Sequence, residues 1–151
     1  MEKFKVFLGG YMNKIAFILI SIFLILSACQ VANSEGITLE EVLSSFEEKK
    51  LKLVEDKVSD NHIFGMKLNR IRPAAYKLDG KKILIYVFDS SKEREKGLND
   101  FRNKTATSNV VSYNFYEVKN VLIFYVHELD RSMKVELDDE IQKALNDLNR
   151  D

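Results

Sequence analysis

Few residues in this chain are of types that carry chemistry. There is one cysteine, Cys29, and there are two histidines, His62 and His127. His127 ends an apolar run and opens the segment His127-Glu128-Leu129-Asp130-Arg131. A zinc-protease motif needs a second histidine four residues on and a helix to carry both. Arg131 stands at that position, and the run before it reads as a strand. His62 lies beside Asp60 and Asn61 in a polar stretch, and no spacing pairs it with His127 as a metal ligand. There is no Gly-x-Ser-x-Gly elbow and no glycine-rich phosphate loop. Past residue 28 the glycines are Gly36, Gly65, Gly80 and Gly97, which fit a linker, turns and, unusually, a helix. Carboxylates are plentiful but interspersed with lysines, the pattern of solvated helix faces. The sequence therefore predicts no catalytic residue, no metal site and no cofactor.

Two features could form a binding surface. Asn69-Arg70-Ile71-Arg72-Pro73 carries two arginines in a loop, a pair suited to an anionic group. The late aromatic hairpin contains Tyr113, Phe115, Tyr116, Phe124 and Tyr125. Strand alternation sends Val111, Tyr113 and Phe115 to one face, and Ser112, Asn114 and Tyr116 to the other. One of these faces should be core and the other half exposed. A candidate binding surface is therefore Arg70, Arg72, Tyr116 and His127, with His127 read as a strand-end residue in contact with solvent.

These residues need elements to position them. Thr38 and Glu41 form a capping-box pattern, with Ile37 and Val42 placed as a hydrophobic staple, so a helix should run to about Lys50. A short strand is expected at Leu51 to Val54, and Phe64 to Leu68 could be another. Asp79-Gly80 reads as a hairpin turn between Tyr76-Lys77-Leu78 and the run Ile83 to Phe88. That run is apolar on both faces, which marks a central strand. Ser90 and Glu93 open a second helix, to about Lys104, with a thin stripe of Leu98 and Phe101. Strands follow at Val110 to Tyr116 and Val121 to Val126. Asp138 then caps a last helix bearing Ile141, Ala144, Leu145 and Leu148 on one face. The expected fold is α+β: a mainly antiparallel sheet of about 4–6 strands, its helices packed on one face.

The first 28 residues have a different composition. Ile15 to Ala28 is an uncharged apolar run preceded by Lys14 and ending in small residues. This is the layout of a secretory signal, and it is short for a membrane span of about 20 residues. Met12 is a plausible start of translation. Leu26-Ser27-Ala28-Cys29 resembles the lipobox of bacterial lipoproteins. The resemblance implies a diacylglyceryl group on the Cys29 thiol and cleavage just before it. The alternatives are an uncleaved signal anchor and an ordinary secretory signal. Gln30 to Gly36 is small and polar, a tether spanning roughly 15 Å. The chain thus divides into a signal peptide (1–28), a lipidated cysteine with its tether (29–36) and one exported domain (37–151). That domain also looks like small domains of uncharacterised Gram-positive lipoproteins, a similarity of pattern without a signature motif.

Past residue 28 the chain holds 20 basic and 22 acidic residues. A near-neutral domain has no electrostatic footprint for nucleic acid, so none is expected as a partner. One cysteine permits no internal disulfide. The expectation is a lipid-anchored protein on the extracytoplasmic face of the cell membrane. It would be a non-enzymatic accessory domain that binds a protein or another component of the envelope, an envelope protein being the partner named. The alternative is a small ligand-binding protein or enzyme whose site is assembled by the fold.

Overall fold

The structure, a computed structural model, describes residues 36–127 and 135–149. They belong to one compact unit, Glu35–Asp151. The elements in order are α1 (Leu39–Glu48), β1 (Leu53–Glu55), β2 (Ala74–Leu78), β3 (Lys81–Val87), α2 (Ser91–Thr105), β4 (Tyr113–Val118), β5 (Val121–Val126) and α3 (Asp138–Asp147). The five strands form one antiparallel sheet in the order β1-β2-β3-β5-β4. The α+β class and the antiparallel sheet are as the sequence predicts.

Helices cover both faces of the sheet, where the sequence reading put them on one. The central strands dictate this. Every residue of β5 is buried, and Ile83 to Tyr86 of β3 are buried without a break. A strand apolar on both sides needs a layer on each. Ile83, Ile85, Val121, Ile123 and Tyr125 pack under α1 and α3, against Val42, Phe46, Ile141 and Leu145. Leu84, Tyr86, Leu122, Phe124 and Val126 face the other way, under Leu98 and Phe101 of α2. The thin stripe of α2 is sufficient because residues 56–73 share the work. Phe64 and Leu68 from that segment are fully buried, and the Tyr86 hydroxyl donates to the carbonyls of Phe64 and Met66. Phe64 to Leu68 therefore contributes core side chains without being a strand.

The local signals resolve unevenly. Thr38 and Glu41 form the full capping box, and Ile37 and Val42 are both buried beside it. Ser90 caps α2, but the Glu93 carboxylate turns away to Asn69 and Lys96. Asp138 does not cap α3: Leu137 occupies that position with no side-chain bond, and the Asp138 carboxylate is engaged elsewhere. The Asp79-Gly80 turn has φ of 50° and 74°, the paired left-handed geometry of a tight hairpin. Gly97 lies under the Phe88 ring, where a Cβ would sit 2.4 Å from Cζ. The helix needs glycine there so that it can approach the sheet. β4 starts later than expected, at Tyr113, and continues to Val118.

Candidate functional site

The site is built on β4, a terminal strand of the sheet. Val118 and Val121 flank the two-residue turn at Lys119 and Asn120 and pair across it. In such a hairpin the flanking pair exchanges both backbone hydrogen bonds, and the bonds then alternate along the ladder. Asn114, Tyr116 and Val118 thus bond to β5. Tyr113, Phe115 and Glu117 turn their N–H and C=O groups outward. Among the described residues no strand pairs with that outer edge.

The side chains along the edge are unequal. Tyr113 is half-buried in an aromatic cluster with Phe64, Phe101 and Phe124. Glu117 pairs with Arg94 at 3.2 Å. Phe115 is 41% exposed, and the Arg102 guanidinium of α2 lies over its ring, 5.9 Å from the centroid. Just before the strand, Val111 is 49% exposed. The opposite edge is different. β1 has three residues, ends in exposed Glu55 and runs into the Asp56–Lys82 ion pair. Short, charged edges resist pairing with other chains, whereas long apolar ones invite it.

A cleft of about 300 Å³ opens beside the first half of β4, lined by Val111, Ser112, Tyr113, Asn114, Phe115, His127 and Val135. His127 follows Tyr125 by two residues and so shares its face of the sheet, the α1/α3 side. It is buried, at 5% exposure, so the expectation of a solvent-contacting histidine is wrong. Burial lowers its pKa from the usual value; Lys81 lowers it further and Asp138 opposes both. Tyr116 is also buried, not part of an exposed tyrosine row. α3 covers its face, and its hydroxyl donates to Asp138 Oδ1 at 2.7 Å. Burial, reinforced by the Asp138 bond, raises its pKa. Asn114 donates to the same oxygen at 2.7 Å, and Gln142 donates to Oδ2 at 2.8 Å. This network fixes the wall of the cleft.

The other sequence-predicted residues lie away from it. His62, Arg70 and Arg72 belong to residues 56–73, which pack on the α2 face. Arg72 pairs with Asp60 and Arg70 is exposed. Asn69 and Arg70 form a tight turn with φ of 44° and 70°, closed by mutual bonds between Leu68 and Ile71. Asn69 holds the turn on α2 through Asp100 and Glu93. Of the four candidate surface residues, only His127 reaches the cleft. Cys29 lies outside the described residues. Among the described residues, no group of three metal-binding side chains comes together, and no helix is long and apolar enough to cross a membrane. Sequence reasoning missed Asn114, Phe115 and Arg102 as site residues. The sequence named Phe115 in the aromatic hairpin, but nothing in it places β4 at the edge of the sheet, which is what exposes that ring.

No protein family, curated protein or solved structure matches this chain.

Proposed function

We propose that this protein is a lipoprotein precursor, lipidated on Cys29 and held on the extracytoplasmic face of the cell membrane. Its folded domain serves as a non-enzymatic accessory module that binds a protein of the envelope. The leader residues support the anchor: a basic start, the apolar run Ile15 to Ala28 and the small-residue motif ending at Cys29. One observation carries the binding role. The sheet keeps one edge short and charged at β1. At β4, twice as long, it presents exposed Phe115, backbone groups that pair with no strand among the described residues, and a cleft alongside. With both faces of the sheet covered, the contact surface is this edge.

The competing reading is a small-ligand or enzyme site in the same cleft. Its volume is at the lower end for such sites, and His127 supplies an imidazole whose neutral form burial favours.

Both parts of the proposal are testable in cells. Palmitate labelling should mark the wild-type chain and not Cys29→Ala, and globomycin should leave the leader uncut. A photo-crosslinking residue at position 115 should capture a discrete envelope protein from membranes, while one at exposed Val54 on the β1 edge should not. Label surviving Cys29→Ala removes the anchor. Equal capture at both positions removes the edge.

A further inference from the structure

We infer that the β4 edge binds a short extended peptide segment that adds a sixth strand, with an apolar residue facing Phe115 and a carboxylate two positions away reaching Arg102. This rests on the binding role proposed above and names its ligand.

The backbone sets the mode. Three residues, Tyr113, Phe115 and Glu117, each offer one donor and one acceptor outward at the spacing of a strand. Main-chain pairing of this kind supplies affinity, and alternate side chains supply specificity. A residue paired with Phe115 projects onto the α2 face and covers the exposed ring. Its neighbours in the peptide project onto the α3 face, where the cleft of Ser112, Asn114 and His127 takes one of them.

Charge selects further. Arg102 sits above Phe115, and among the described residues no carboxylate pairs with it. Glu117, by contrast, is already held by Arg94. Among the described residues, the charge beside Phe115 that lacks an ion-pair partner is therefore positive, and an acidic side chain on the α2 face of the incoming strand complements it.

Charge argues against a second copy as the occupant. Paired antiparallel about Phe115, a second copy would bring its own Arg102 to the same face, like charge beside like charge. A short segment can place a carboxylate there and also enter the cleft.

The test takes the full chain in detergent micelles and a displayed library of short random peptides as the probe. Selected sequences should alternate, with an apolar residue two places from Asp or Glu. Phe115→Pro deletes one outward donor at an edge position where the fold tolerates proline; it should weaken binding about tenfold or more. Arg102→Glu should weaken acidic peptides roughly tenfold and favour those with lysine instead. N-methylation of the peptide at alternate positions should abolish binding in one register and spare it in the other, which tests the pairing even if Phe115→Pro misfolds. The inference falls if no peptide is enriched, if methylation has no alternation, or if selected peptides ignore Arg102→Glu. It also falls if the chain instead forms a dimer that Phe115→Pro disrupts. If position 115 captures a partner in membranes but none of these dependences holds, the binding role stands and the strand-addition mode does not.

Discussion

Asn120 closes three backbone gaps with one side chain. Its amide donates to the carbonyls of Ile37 and Phe88 at 3.0 and 2.7 Å, and its oxygen accepts from the Ile37 N–H at 2.6 Å. The residue is 4% exposed, so water cannot replace those bonds. Asn120→Ala should cost about 2–4 kcal/mol, read as a lower urea midpoint with an unchanged slope. His127 gives a pH dependence. Its folded pKa lies below the ordinary value of about 6.5, through burial and then Lys81. Between the two values the unfolded chain binds a proton that the folded chain resists. Stability is therefore full above about pH 6.5 and declines as pH falls toward the folded pKa. Urea midpoints measured between pH 7 and 5 should drop for wild type and drop less for His127→Gln. Equal slopes would remove His127 as the cause.

Two helix positions should respond to glycine in opposite ways. At the end of α1, Lys50 has φ of 60°, Leu51 N–H bonds the Phe46 carbonyl and Lys50 N–H bonds the Glu47 carbonyl. This is the left-handed helix stop that glycine favours. Lys50→Gly should stabilise the fold by about 0.5 kcal/mol, the relief of left-handed strain less the entropy glycine loses on folding. Gly97→Ala improves helix propensity, yet its Cβ meets buried Phe88, so a net loss of about 1–3 kcal/mol is expected. Thermal unfolding of both variants checks the signs. The same elements mark what the sequence disclosed. β5 was legible to the residue, since six apolar residues lie between Asn120 and His127. The first capping box and the Asp79-Gly80 turn were legible because their chemistry is local. Residues 56–73 were not: Phe64 and Leu68 enter the core at spacings set by the sheet below them. Tyr116 and His127 were misjudged for the same reason. What covers a strand face is decided by α3, from far along the chain. The cleft was illegible too, because its lining joins residues 111–115 to His127 and Val135.

At the scale of the molecule, protection should grade across the sheet. β3 and β5 are buried on both faces and paired on both sides, so their amides should exchange only through global unfolding. The outward amides of Tyr113, Phe115 and Glu117 should exchange much faster than those of Asn114, Tyr116 and Val118 on the same strand. Uniform protection along β4 would mean that the edge is paired and would withdraw it as a binding surface. The position of Asn120 also has a mechanical consequence. The chain enters the domain at Gly36 and Ile37, beside the β4–β5 turn, while the cleft lies at the far end of β4. A pull on the chain at Gly36 loads the Ile37–Asn120 bonds first. It then passes through Phe88 into the two central strands, the stiffest part of the fold. Under the proposed anchor and binding role, tension and ligand would act at opposite ends of the sheet, so a pull on Ile37 need not distort the cleft.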